Sequence, residues 1–449
     1  MQETRPLLRI LGLGFGLALA FGSTVGVGIL RLPGTVAAAL GDPTLIMMAW
    51  LIGGIYALMG AVAVAELAAM IPQAGGFRVY ARRAYGEGVG FAVGWVDWLC
   101  NVAALAYVSI TVVTFIGTLW SPISGHPRAA AIAIFAVFTG IHWAGLRMGS
   151  SLTAIISTAV GLLFAVLIIG CFLSAPASAP VVPAAAASPS PTLMSMAMLF
   201  AVVPAIRAVL TAYDGWYGPI YMAEENTDPA RTLPRAIIGG TLLVMGLYLV
   251  FNVAILRVLP LPVLATSVLP AADAARVVLP RGGAELVTVI AVLTLLSGLN
   301  NVLLMAPRVL FGMGRDGLMT GKVATVSDGG TPRGALMVSS AAVVLVILSG
   351  SFEQIIALFS VLFLVLYVSA FLAVLVLRRR EPTLPRPYVA FGYPFTTAIV
   401  LAGSVMFLIV AIAEDPRSAL VAAVFIAGCA PAYAWTARSR RLRLASSVA

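Results

Sequence analysis

Apolar residues run on in twelve stretches along this chain, at roughly 12–40, 44–71, 89–120, 128–146, 151–174, 194–223, 236–258, 284–314, 335–350, 353–377, 394–412 and 417–437. A membrane-spanning helix needs about 20 mostly apolar residues, so each stretch predicts one span, the longer ones tilting, breaking or running past the bilayer. Two stretches are interrupted by glycine-rich polar sequence. One reads Gly22-Ser23-Thr24-Val25-Gly26-Val27-Gly28, the other Ala212-Tyr213-Asp214-Gly215-Trp216-Tyr217-Gly218. Hydrocarbon offers no partners to freed backbone groups, so a spanning helix unwinds only beside protein or a watery cavity. Matched breaks in two halves of a chain point to the substrate site of a secondary transporter. The five spans from Gly12 and the five from Met194 each open on a broken helix. An odd span count per unit inverts the second unit. The expected fold is therefore an all-α integral membrane protein with 12 transmembrane helices in one domain, 1–449. It comprises inverted repeats at 12–174 and 194–377 and two additional helices at 394–437.

Composition agrees with this reading. Hydrophobic residues make up 61% of the chain and charged residues 10%, against ~25% charged in soluble domains. A net charge of +10 could suggest a nucleic-acid partner, but the 27 basic residues are sorted by loop. Twenty fall in the termini and the even-numbered connections, among them Arg78, Arg82, Arg83, Arg308, Arg315, Lys322 and Arg378–Arg380. Five fall in the odd connections, and Arg31 and Arg207 lie inside spans. That asymmetry is the positive-inside pattern and predicts cytoplasmic termini in a multi-pass inner-membrane protein with no nucleic-acid role. The first stretch is too long for a signal-peptide core and carries its own break, predicting an uncleaved span. Cys100, Cys171 and Cys429 lie in apolar segments, as small core residues rather than a disulfide framework. The Ala/Pro/Ser-rich stretch Ser174–Pro191 predicts a flexible external spacer, and the proline-punctuated connection 259–283 a short helix over an outer vestibule.

The breaks supply the candidate chemistry. Glycines at 22, 26 and 28 let a ligand approach the backbone, and the N–H groups of the following half-helix favour an anion. Carbonyls freed in the second break accept hydrogen bonds from an ammonium group. Together they suit a zwitterion, an amino acid. Close helix packing is the competing reading of each glycine motif. Asp214 has four readings: binding a substrate cation, carrying a proton, pairing with Arg207, or capping the half-helix. Tyr213 and Trp216 would shape a side-chain pocket, with hydroxyls from Ser23 and Thr24 beside it. Glu66 is expected in a polar cluster at the inner gate. Asp97, between Trp95 and Trp98, is structural or a proton relay. Ser297, Asn300 and Asn301 either line the cavity or bond between helices, and Arg31 either snorkels or pairs across the core. His126 and His142 have no ligand spacing and read as a loop and a helix-end residue. No metal cluster, cofactor motif, nucleotide-binding loop or catalytic set emerges, so the chain reads as a non-enzyme.

The segments Gly22–Pro33 (GSTVGVGILRLP), Ala65–Gly86 (AELAAMIPQAGGFRVYARRAYG), Ala212–Ile237 (AYDGWYGPIYMAEENTDPARTLPRAI) and Pro307–Met319 (PRVLFGMGRDGLM) resemble the amino acid–polyamine–organocation superfamily. Within it the likeness is to bacterial amino acid permeases akin to the L-type transporters. The resemblance implies a leucine-transporter-like fold with alternating access. It also implies that backbone at Ser23–Gly28 takes the substrate carboxylate and carbonyls around Thr211, Ala212, Tyr213 and Asp214 the amine. The run from Glu224 and Glu225 through Arg231 to Arg235 becomes cytoplasmic gate scaffolding. Two positions depart from the family pattern. The span-5 lysine that stands in for sodium in many members is Val160 here, and the frequent aromatic gate before the second break is Thr211. The expected function is a secondary active or facilitative amino acid transporter, by uniport, exchange or proton coupling. The rivals are a polyamine or organic-cation carrier using Asp214, and a channel or receptor on the same scaffold. The expected partners are a small-molecule substrate and the lipid bilayer; oligomeric state stays open.

Overall fold

The computed structural model describes residues 6–177, 196–350 and 352–446. Its sixteen α-helices follow the apolar pattern. The first stretch is α1 (Leu13–Thr24) and α2 (Val27–Leu40), bent by 46° at Val25 and Gly26. Then come α3 (Pro43–Met70), the short amphipathic α4 (Phe77–Tyr85), α5 (Glu87–Leu119), α6 (Pro127–Ala144) and α7 (Leu146–Leu173). The second interrupted stretch is α8 (Met196–Ala212), a turn, and the 3-10 segment Gly218–Glu225. It leads into α9 (Pro229–Val258), α10 (Leu261–Thr266), α11 (Pro270–Val278) and α12 (Gly283–Arg315). The chain ends with α13 (Arg333–Ser349), α14 (Phe352–Arg380), α15 (Phe395–Glu414) and α16 (Pro416–Ser446).

Among the described residues nine helices are long and apolar enough to cross a membrane, and α1 with α2 makes a tenth span. The other two expected spans correspond to the shorter apolar helix at Val202–Ala212 and to α13, whose lengths fall below that test. The connection 259–283 holds two short helices rather than one, because Pro270 starts a second. Most of the alanine- and proline-rich spacer, residues 178–191, lies outside the described residues, as does the expected start of the second repeat at Met194.

Local signals explain the joints. Gly41 takes a left-handed φ of 63° to end α2. Asp42 then caps α3, accepting the Leu45 N–H at 2.9 Å, with Pro43 in the first turn. Small residues let helices approach closely. A side chain at Gly16 would meet the Ala236 Cβ at 2.6 Å, and one at Gly240 the Ala20 Cβ at 2.4 Å, which seats α1 against α9. The three cysteines are buried and free.

One end of the helical bundle collects charge. There the backbone at Leu11 pairs with Glu225 and Thr227, at 3.0 Å each, joining the N-terminal segment to the end of the 3-10 segment. Glu224 accepts the Ala74 N–H at 3.0 Å and pairs with Arg315 at 2.7 Å. Asp316 receives both Arg78 and Arg82. Glu66 receives Arg378, Arg386 and the Ala390 N–H.

Candidate functional site

The two breaks interlock. Gly215, at a φ of +117°, brings its Cα so close to the first break that an added Cβ would lie 2.3 Å from the Ser23 carbonyl oxygen. At Gly218 the same atom would lie 3.1 Å from Ser23 Oγ, and at Gly28 3.6 Å from the Ala212 Cα. The Tyr248 hydroxyl, from α9, reaches both breaks, 3.1 Å from the Thr24 carbonyl and 3.0 Å from the Ala212 carbonyl. Nothing in the sequence set Tyr248 apart from other aromatics in spans. Its role comes from long-range packing.

The first break is shorter than its glycines predict. Ser23 and Thr24 remain helical, and only Val25 and Gly26 leave the helix. Thr24 Oγ1 turns back onto the Ala20 carbonyl at 2.8 Å, and the buried Val25 donates its N–H to the Phe21 carbonyl at 2.8 Å. Hydrogen bonds within the helix thus compete successfully with unwinding. Gly26 differs: a Cβ there would meet nothing within 4 Å. The first turn of α2, at Val27 and Gly28, has no side-chain cap, so its amide groups are available to an anion. Near the end of α1 are three buried polar atoms without partners, Ser23 Oγ, Ser297 Oγ and Asn301 Nδ2. The last two converge on Gly22, where an added Cβ would lie 2.5 Å from Ser297 Oγ and 3.0 Å from Asn301 Nδ2.

The second break faces a cavity of about 260 Å³. It is lined by Thr211 at the end of α8, by Tyr213, Asp214 and Trp216 from the break and by Tyr367 and Phe371 from α14, with walls from α3 and α15. Residues 23–28 are not among its lining. Asp214 is partly exposed and accepts the Tyr367 hydroxyl. It does not pair with Arg207, which reaches Glu414 instead. It also does not cap the next segment, which starts at Gly218 after Tyr217 and has no side-chain cap. Trp216 stacks on Tyr367 with centroids 5.8 Å apart. Tyr213 donates to the Trp50 carbonyl at 3.2 Å, and Thr211 Oγ1 to the Arg207 carbonyl at 2.9 Å. Arg31 is exposed.

The remaining candidates sort differently from expectation. Asn300 is fully buried in a bonding network and is not in the lining of the cavity at the second break. It contacts His142 at 2.9 Å, Thr153 at 2.8 Å and the Gly149 carbonyl at 3.0 Å. His142 is accordingly an interior network residue, not simply a helix end. Asp97 is buried, its Oδ1 accepting Tyr221 at 2.7 Å and Asn101 at 3.0 Å. Glu225 pairs with Arg308 at 2.9 and 3.3 Å, the two side chains 0% and 1% exposed. Arg231 is exposed and stands outside the ion pairs among the described residues. Counting Arg308 with a connection was therefore wrong: it lies inside α12. An arginine flanked by Met305, Val309 and Leu310 was the available signal.

Comparison with known proteins bears on the chain as a whole. The family described as amino acid permease matches residues 16–429. The chain is 29% identical to the serine/threonine exchanger SteT of Bacillus subtilis over 407 residues, covering 90% of this chain and 91% of that one. It is 25% identical to the b(0,+)-type amino acid transporter 1 of Mus musculus, covering 94% and 87%. An uncharacterized transporter of Mycobacterium tuberculosis is 28% identical over 69% of this chain and 67% of its own.

Proposed function

The chain belongs to the amino acid permease family, a family of multi-pass membrane transporters rather than enzymes, and from that premise we propose that it carries amino acids by alternating access. In this reading the uncapped first turn of α2, at Gly26–Gly28, takes the carboxylate, and carbonyls of the second break take the amine. The substrate side chain projects toward Thr211, Tyr213, Asp214, Trp216 and Tyr367. The single observation that carries the proposal is the interlock of Gly215 and Gly218 with Ser23, which sets two broken helices edge to edge. The open space at Gly26 on one side and the cavity on the other support it. At about 260 Å³ the cavity is below the ~300–1,000 Å³ of drug-sized sites, a scale suited to a small metabolite. The repeats at 12–174 and 194–377 would rock about this junction. The charged end would be cytoplasmic, its ion pairs around Glu224, Glu225 and Asp316 closing the inner side.

A second reading is favoured by one contact, the Asp214 carboxylate open to the cavity beside Tyr367. A fixed anion there selects a substrate with a cationic side chain, or a polyamine or organic cation lacking the carboxylate. Purified protein in proteoliposomes loaded with unlabelled amino acids, against labelled serine, arginine and putrescine outside, separates these. Saturable counterflow of amino acids supports the zwitterion site, and counterflow of putrescine alone transfers the assignment to the cation carrier. Leak without counterflow would mean a channel.

A further inference from the structure

Away from the breaks, a second cavity of about 580 Å³ opens where α16 packs beside the start of α5 and the turn after α12. Its walls are Phe91 and Trp95 from the first turns of α5, Leu318 and Met319 from the turn, and Phe425 and Trp435 from α16. Phe91 and Trp95 lie nearly parallel, 5° apart, with centroids at 6.4 Å. Gly428 forms part of the wall, and a side chain added there would meet nothing within 4 Å. The cavity is therefore an apolar groove with open space beside Gly428.

Its place in the fold says what fills it. The apolar window of α16 is only 11% buried within the protein, the least of the candidate spans, so this helix leaves most of its apolar surface for lipid. Tryptophans at 95 and 435 mark the membrane–water boundary. The same rim carries hydroxyls at Thr320 and Thr436. Two exposed cations follow the rim residues in sequence: Lys322 two residues after Thr320, and Arg438 one helical turn after Trp435. Both stand outside the ion pairs among the described residues, whereas Arg82 and Arg83 nearby are committed to Asp316 and Glu381. In sequence the chain continues Arg440-Arg441-Leu442-Arg443. An apolar slot beneath hydroxyls and unpaired cations fits an acyl chain beneath an anionic phosphate.

We infer that this groove is a binding site for one anionic phospholipid, its acyl chain along Phe91, Trp95 and Gly428 and its phosphate between Lys322 and Arg438. Each basic residue near such a surface contributes about fivefold in affinity. The test is native mass spectrometry of the detergent-purified full chain, titrated with phosphatidylglycerol or phosphatidylcholine of identical acyl chains. Wild type should retain one phosphatidylglycerol with roughly tenfold or greater preference. Lys322→Gln with Arg438→Gln should bring phosphatidylglycerol down to the phosphatidylcholine level, and Gly428→Leu should remove the retained lipid of either kind. If Gly428→Leu does not elute as a folded monodisperse species, Ala432→Phe fills the same slot. Equal retention of the two lipids by wild type overturns the headgroup assignment, and unchanged retention by a folded filler variant overturns the groove.

Discussion

Replacing Gly215 by alanine tests the interlock directly. The residue holds a φ of +117°, where a side chain is strained, at a cost of about 1–3 kcal/mol. The added Cβ would also lie 2.3 Å from the Ser23 carbonyl oxygen, 2.6 Å from its carbon and 2.9 Å from the Thr24 nitrogen. These are backbone atoms that no rotamer change can move aside. Relief to ordinary contact requires the two breaks to part by roughly an ångström. Tyr248 cannot follow both carbonyls, which it meets at 3.1 and 3.0 Å. Leaving one of these buried groups unpaired adds about 1–3 kcal/mol. Together the terms remove some 2–6 kcal/mol from a stability of the order of 5–15 kcal/mol. Gly215→Ala should therefore lower the thermal unfolding midpoint in detergent by many degrees and abolish counterflow in proteoliposomes. Gly26→Ala, which meets nothing within 4 Å, should leave the midpoint unchanged. A Gly215→Ala protein that keeps wild-type stability and exchange would refute the claim that contact between the breaks organises the site.

Four further outcomes follow from the same geometry. Gly26→Leu should fold normally, because its surroundings are open, yet lose amino acid binding by thermal shift; retained affinity would move the carboxylate elsewhere. Asp214→Asn should weaken binding of substrates with cationic side chains by tenfold to a hundredfold, the worth of a hydrogen bond to a charged group, while neutral amino acids change little. Binding of cationic substrates by the variant as tight as by wild type would make Asp214 structural. Arg308→Met should cost about 3–5 kcal/mol by stranding Glu225, and Glu225→Met on that background should restore most of it; additive losses in a denaturant-unfolding cycle would contradict the pairing. For Asp316, burial pushes the carboxyl pKa up, but Arg78 and Arg82 together hold it below the ordinary 3.8. A depressed folded pKa adds stability that is fully present above pH 3.8 and is lost as pH falls through the lower folded value. The stability deficit of Asp316→Asn should then be constant from pH 7 to about pH 4.5 and shrink only below that, which thermal melts across pH would show.

Much of the fold was legible because the bilayer imposes its own rule. A stretch long and apolar enough to span must hydrogen-bond internally, and a glycine-rich interruption must lie against protein or water. The breaks were therefore found at the right places in the chain. What the pattern could not give was the extent of each break. Thr24 satisfies itself on the Ala20 carbonyl and keeps α1 helical to its end. The second break instead runs from a turn into a 3-10 segment. The choice depends on local bonds worth about a kilocalorie each, too small to read from composition.

The polar interior was the harder part, for a physical reason. A charge count sorted by loop treats an arginine as a solvated group, so it assigned Arg308 to a connection. The folded protein instead buries Arg308 against Glu225. Burying either charge alone in an apolar helix would be prohibitive, so the residue makes sense only once its partner, 83 positions away, is known. The same holds for Asn300 with His142 and Thr153, and for Asp214 with Tyr367: each side chain finds its partner on a helix distant in sequence. Polar residues inside spans thus announce from sequence that partners exist without saying which. Ser23, Ser297 and Asn301 are the informative remainder. Each keeps one buried polar atom without a partner, Ser23 Oγ, Ser297 Oγ and Asn301 Nδ2, and the last two lie around Gly22 beside the first break. Substitution of Ser297 by alanine should for that reason perturb exchange more than stability, whereas Asn300→Ala should do the reverse.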